Sequence, residues 1–248
     1  MRIDVYLHRS GLASSRTEAQ GFITSGAVSV DGVVVTKASY DVDGIEDRIK
    51  IDRSGKKYVS RGGIKLAAAL AAFSVDVCGK NCLDVGASSG GFTDCLLKNG
   101  ASHVIAVDSG SGQMAESLRR DSRVSVVEGY NARYMKPDDF PYVPELAVMD
   151  VSFISATHII PALSECLCEG ADFILLVKPQ FEVGRANVGK GGIVKDSKAR
   201  AAALDRVIEC ASEHSLRKIG VIESPIRGGD GNLEYLAYFK KIKGIDQI

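Results

Sequence analysis

Short apolar strands alternating with helices from residue 81 onward predict an α/β fold on a doubly wound sheet. The sheet should be mostly parallel, with an antiparallel last strand and a small α+β module ahead of it. Three observations carry this. NCLDVG, HVIAVD, RVSVVEG, ELAVMD and FILLVKP are apolar runs bounded by polar residues or glycine, the texture of strands buried on both faces. GFTDCLLKNG, SGQMAESLRR, SATHIIPALSECL and SKARAAALDRVIECASEHS read as helices between them. KIGVIES and NLEYLAYFKKI then follow one another with no helix between, so the final strand runs against its neighbour.

The amino-terminal module is built from shorter pieces. RIDVYLHRSG reads as a helix with Ile3 and Leu7 inward and Gly11 at its end. In SSRTEAQGFITSG, Ser15 and Glu18 form a capping box and Gly26 is a C-terminal stop. AVSVDGVVV alternates about Asp31-Gly32, a two-residue hairpin turn. The stretch from 53 to 75 carries Arg53, Lys56, Lys57, Arg61 and Lys65 with no acid, and Lys65 opens an alanine-rich helix. A solvated linker face would suffice to explain such a run, but its place between two modules suits a crossing phosphate backbone.

Composition limits the function classes. Hydrophobic residues make up 45% and charged residues 25% of 248, and formal net charge is +0, so any nucleic-acid affinity has to come from local charge. Residues 1–57 hold nine Lys/Arg against eight Asp/Glu, a weakly basic balance. Charges interrupt the amino terminus, which argues against a secretory signal, and no window reaches the ~18 apolar residues of a membrane span. Six cysteines with no C-x-x-C and four scattered histidines argue against a metal site and for thiols in a reducing cytoplasm.

The stretch LDVGASSGGFTD joins the first strand of the large sheet to its helix. Gly86, Gly90 and Gly91 lack the dinucleotide spacing, and Asp84 would repel a diphosphate. A phosphate-binding P-loop needs a lysine that is absent after Gly91. The segment GRANVGKG (184–191) fits that loop until its last position, Gly191, where a hydroxyl is required, and reads better as a basic, glycine-rich loop near substrate. S-adenosylmethionine fits instead. It carries an ammonium and a sulfonium that a carboxylate attracts, Gly86 and Gly90 admit close backbone approach, and Asp108 ends the second strand where it can accept the ribose hydroxyls. Asp150 and Lys178 close two further strands, Glu234 starts the last one, and Lys65 lies before the first, so two lysines and two carboxylates can converge at one sheet edge.

Two resemblances rest on these stretches. Residues 12–42 (LASSRTEAQGFITSGAVSVDGVVVTKASYDV) resemble the RNA-binding domain known from ribosomal small-subunit protein S-four, which implies Arg2, Arg16, Gln20 and Lys37 as RNA contacts. Lys65, Asp150, Lys178 and Glu234 match in order the K-D-K-E set of FtsJ-like RNA ribose methyltransferases. With VSRGGIKL, DVSFIS, VKPQFEVG and GNLEY added, the whole chain resembles the TlyA (haemolysin A) family.

That resemblance implies a Rossmann-like methyltransferase domain over residues 59–248, with a linker at 59–65, after an S-four-type domain at 1–58. It implies methylation of a cytidine ribose 2′-hydroxyl in ribosomal RNA or a ribosomal subunit. Asp84, Gly86, Ala87, Ser88, Gly90, Gly91, Phe92, Thr93, Asp108, Asn131 and Asp150 would then face S-adenosylmethionine, and Arg61, Arg185 and Lys190 would join the RNA contacts. In the expected chemistry Lys178 contacts the attacking oxygen, as base or as orienting group, Asp150 and Glu234 position that lysine, and Lys65 holds the RNA hydroxyl. Amine methylation fits less well, since DVSF stands where an N/D-P-P-Y/F turn is usual, and carbon-5 methylation lacks a cysteine after proline. A lytic protein and a non-catalytic RNA-binding protein are the rival classes.

Overall fold

The computed structural model describes residues 1–24, 26–35, 37–51, 58–184 and 188–243. The amino-terminal module contains α1 (Ile3–Arg9), α2 (Arg16–Thr24) and a three-stranded antiparallel sheet of β1 (Val28–Val30), β2 (Val33–Val34) and β3 (Ile49–Ile51) in the order β2-β1-β3. Asp31 and Gly32 adopt φ of 52° and 80°, the left-handed pair that a two-residue hairpin requires. The expected cap on α2 is present in altered form. Glu18 N–H donates to Ser15 Oγ at 3.1 Å, but the Glu18 carboxylate accepts from Ser14 N–H, one residue earlier than a capping box has it. Strand β3 was not foreseen, because three residues next to a short turn carry too little periodicity.

The larger unit holds seven strands in the order β6-β5-β4-β7-β8-β10-β9. In chain order they are β4 (Asn81–Val85), β5 (His103–Val107), β6 (Val124–Val127), β7 (Leu146–Met149), β8 (Asp172–Val177), β9 (Leu216–Glu223) and β10 (Tyr235–Lys241). Strands β4 to β8 pair in parallel, and β10 runs antiparallel to both β8 and β9, as expected. The two-residue period of each strand divides its side chains between two cores. Leu83, Ile105, Ala147 and Leu175 pack toward α6 (Ile160–Glu165) and α8 (Ser197–Glu213). Cys82, Val104, Val148 and Ile174 pack toward α3 (Gly62–Phe73) and α4 (Gly91–Lys98).

Three local expectations are corrected and one short helix is added. The helix read over SGQMAESLRR shrinks to α5 (Glu116–Arg119). SATHIIPALSECL divides into a 3-10 turn, Ala156–His158, capped by Ser155, and then α6, because Pro161 in the first turn suits a helix start and has no N–H to continue an earlier one. Helix α3 begins at Gly62, so Lys65 lies within its first turns rather than opening it. A short α7 (Pro179–Glu182) follows β8 directly.

Candidate active site

The first turn of the site joins β4 to α4. Gly86 has φ +83°, and a Cβ there would lie 2.5 Å from the Asp150 carbonyl oxygen. Gly90 has φ +91°, and its Cβ would meet Leu118 Cδ1 at 2.2 Å. The crowding that demands glycine therefore comes from the protein's own neighbouring strand and helix, where the sequence suggested only a ligand. Gly91 lets α4 start against the Ser60 hydroxyl, which a Cβ would approach to 2.1 Å.

Beside this turn, at the carboxyl ends of β4, β5 and β7, lies a cavity of about 380 Å³, walled by Gly86, Ser88, Asp108, Tyr130, Asn131 and Asp150. Asp108 is held from two sides. Ser88 N–H donates to its Oδ2 at 2.8 Å and Gly110 N–H to its Oδ1 at 2.7 Å, leaving each oxygen a further lone pair toward the cavity. Asn131 also has its carbonyl engaged, accepting from Arg133 N–H.

Asp84 departs from expectation. Strand alternation turns it toward α4, where it is wholly buried, and Thr93 Oγ1 donates to its Oδ2 at 2.6 Å. It does not wall the cavity, and its Oδ1 has no partner among the described residues. Burial, opposed by the Thr93 hydrogen bond, pushes the carboxyl up to about 7. Its direct contact is with the start of α4. Thr93 is buried against it, while Phe92 and Ala87 serve both the α4 core and the wall of a second, adjoining cavity.

That second cavity, about 180 Å³, brings Ser60, Lys65, Asp150, Ser152 and Lys178 together with the glycine turn. The four residues of the expected quartet form two ion pairs. Lys178 Nζ lies 2.5 Å from Asp150 Oδ1 and donates to Ser152 Oγ at 2.8 Å. Lys65 Nζ donates to Glu234 Oε2 at 2.5 Å, with both side chains buried. In place of the pairing with Lys178 in the expected chemistry, Glu234 pairs with Lys65. The reason is topological: β10 inserts between β8 and β9, and Glu234, one residue before β10, faces the helix α3 that carries Lys65. Gly228 leaves room for this carboxylate, since a Cβ there would come to 2.5 Å of Glu234 Oε1.

The expected RNA contacts fall in three groups. Arg2, Arg16 and Gln20 all donate to the buried carboxylate of Asp4. Lys37 is exposed, and its Nζ would lie 3.3 Å from a Cβ on Gly231, in the loop that leads to Glu234. Arg61 donates to the Arg227 carbonyl in the same region. Lys190 is exposed in a glycine-rich turn, which buried Asn232 ties to the loop before Glu234 by accepting from Val194 N–H and donating to the Gly192 carbonyl. Arg185 lies outside the described residues.

Sequence reasoning missed Ser60, Gln113, Tyr130, Ser152 and Phe153. Phe153 is 92% exposed at φ +65°, its ring 5.3 Å from that of Phe181. Ser152 and Phe153 in DVSF, and Ser60 in VSRGGIKL, had a signal to follow; Gln113 and Tyr130 had none.

The FtsJ-like methyltransferase family matches residues 58–241 and the S4 domain matches residues 1–49. The chain is 44% identical over 239 residues to the 16S/23S rRNA (cytidine-2′-O)-methyltransferase TlyA of Mycobacterium tuberculosis, covering 96% of this chain and 89% of that one. It is 43% identical to Hemolysin A of Brachyspira hyodysenteriae, with 96% and 99% covered. A solved structure from Streptococcus thermophilus, described provisionally as a hemolysin, shares 40% identity and a TM-score of 0.76 over 98% of this chain and 89% of that one. The fibrillarin of Aeropyrum pernix, solved with S-adenosyl-L-methionine, shares the fold alone, at TM-score 0.52 and 16% identity over 72% of this chain and 76% of that one.

The cofactor is S-adenosylmethionine, and the residues present fit it. Asp108 is an anchored acceptor, Gly86 lines the cavity with backbone alone, and no lysine stands in the turn for a phosphate. The fold and the two matched regions agree, and the chain belongs to the FtsJ-like methyltransferase family, in the TlyA branch that carries an S4 domain ahead of the enzyme.

Proposed function

We propose that this chain methylates the ribose 2′-hydroxyl of a cytidine in ribosomal RNA, within the cytoplasm. The observation that carries the reading is the pair of lysines, each held by its own carboxylate, that wall one small cavity beside the glycine turn. A ribose hydroxyl is a weak nucleophile, and S-adenosylmethionine supplies the electrophilic methyl group. The chain's part is to place the hydroxyl in line with that methyl group and to shield the reaction from water. Lys178, fixed by Asp150 and Ser152, contacts the attacking oxygen, either as the base that takes the hydroxyl proton or as the group that orients the oxygen while the proton leaves to solvent. Lys65, fixed by Glu234, approaches from α3 and closes the other side. Arg2, Arg16 and Gln20 on the small module, with Lys37, Arg61 and Lys190 nearer the site, would hold the phosphate backbone together with Arg185, a contribution that weakens with salt.

The test is incubation of in vitro transcribed ribosomal RNA with the protein and labelled S-adenosylmethionine, followed by mass mapping. Label on the ribose of a cytidine is expected; label on a base, or none, refutes the reading. The hemolysin name of the Brachyspira relative points to a lytic role. Among the described residues no helix is long and apolar enough to cross a membrane, and dye release from liposomes by the purified protein would favour that reading instead.

A further inference from the structure

Asp4 lies in the first turn of α1 with no solvent exposure. A carboxylate buried in so small a module is costly unless charged and polar donors meet it. Arg2 meets it twice, Nε to Oδ1 at 2.9 Å and Nη2 to Oδ2 at 3.2 Å. Arg16 Nη2 donates to Oδ2 at 2.8 Å, and Gln20 Nε2 to the same oxygen at 3.1 Å. The acceptor is inside, yet the two arginine side chains remain 51% and 53% exposed. Their remaining N–H groups are therefore available outward while one face of each guanidinium is clamped. The Asp4 N–H also bonds the Ala38 carbonyl, which brings exposed Lys37 to the same end of the module.

The charge balance makes this arrangement informative. Residues 1–57 carry nearly equal numbers of each sign, so the module has little net field with which to attract a polyanion. What it has is geometry. A free arginine loses rotamer freedom when it closes on a phosphate, and one already held does not pay that cost at binding. The planar guanidinium is also the group that grips phosphate through paired N–H bonds, which a lysine cannot reproduce.

We infer that Asp4 is a positioning residue for RNA, holding Arg2 and Arg16 as one preset grip for the phosphate backbone. The inference rests on the ribosomal-RNA reading of the module. It differs in sign from a charge-only account. Removing a negative charge from a basic patch strengthens RNA binding by Coulomb attraction alone, whereas releasing the two guanidiniums weakens it.

The experiment uses the full chain and filter binding to in vitro transcribed 23S ribosomal RNA over a range of salt, with thermal unfolding in parallel. Asp4→Asn is expected to weaken binding by about tenfold, the effect of two side chains that must now be ordered on contact. The loss should appear in KM for RNA rather than in kcat, with the salt dependence unchanged, because the same phosphates are still contacted. Arg16→Lys keeps the charge on a half-exposed side chain and is expected to lose about as much affinity as Arg16→Ala. Should Asp4→Asn unfold the module, Arg16→Lys decides. Wild-type or tighter binding by a folded Asp4→Asn, or wild-type binding by Arg16→Lys, overturns the inference. If Arg2→Ala and Arg16→Ala also bind like wild type, the RNA reading of the module falls with it; if those two weaken binding, only the positioning role falls.

Discussion

Replacing Glu234 by glutamine keeps the shape of the side chain and removes its charge, leaving the Lys65 ammonium buried without a counter-ion. Glu234 is 2% exposed and Lys65 Nζ sits 2.5 Å from it, so water reaches Lys65 only from the cavity and not from the side of the lost partner. Breaking a buried pair from one side costs about 3–5 kcal/mol. At roughly 2–4 °C per kcal/mol for a domain of this size, the unfolding midpoint of the methyltransferase unit should fall by about 6–20 °C.

Lys65→Met should cost a similar amount by stranding the carboxylate. The double variant Lys65→Met/Glu234→Gln should recover most of the loss, because neither charge is then left alone. Glu116→Gln provides the control. Its partner Arg120 is 77% exposed, and such a surface pair contributes about 0–1 kcal/mol. Scanning calorimetry reads the midpoints, and methyl transfer to ribosomal RNA should be lost in all three site variants, including the double variant that regains stability. A Glu234→Gln midpoint within about 2 °C of wild type, or a double variant no better than the singles, would refute the description of this pair as a buried, mutually dependent unit.

Further outcomes follow from the same geometry. Lys178→Ala should lower kcat by roughly 10²–10⁴-fold while calorimetric titration shows S-adenosylmethionine binding retained; full turnover would sink its role at the attacking oxygen. Gly86→Ala forces a Cβ to 2.5 Å of the Asp150 carbonyl at φ +83°, and should destabilise by at least about 1–3 kcal/mol in urea unfolding while displacing Asp150. Asp84 has a folded-state pKa of about 7, above its ordinary 3.8, so its contribution is full below pH 4 and is lost as pH rises through 7. Asp84→Asn should therefore gain in midpoint relative to wild type between pH 5 and pH 8, and a difference that does not change with pH would contradict the burial of this carboxylate.

The chain order of the longer strands and helices, the glycine turn and three ionisable residues beside strand ends, Asp150, Lys178 and Glu234, were legible in the amino-acid sequence. Local pattern suffices there: a strand buried on both faces is continuously apolar, and a polar residue at its carboxyl end must lie at a sheet edge. Short elements were less legible. Residues 49–51 and 179–182 are too brief for a period to register, and the helix expected over 111–120 contracted to Glu116–Arg119.

Partnership was decided only in three dimensions. Residues 65 and 234 are far apart in the chain, and nothing local says that Glu234 pairs with Lys65 while Asp150 takes Lys178; the insertion of β10 between β8 and β9 settles it. The direction of Asp84 was likewise a tertiary outcome, since the same alternation that built β4 turned it onto Thr93 and away from the cavity. Arg2, Arg16 and Gln20 were expected only as RNA contacts, and the fold closes all three on Asp4. The physical reason is common to these cases: the composition of a segment sets which residues are buried or exposed, but hydrogen bonds and ion pairs act over about 3 Å, and only the packed chain determines which groups come that close.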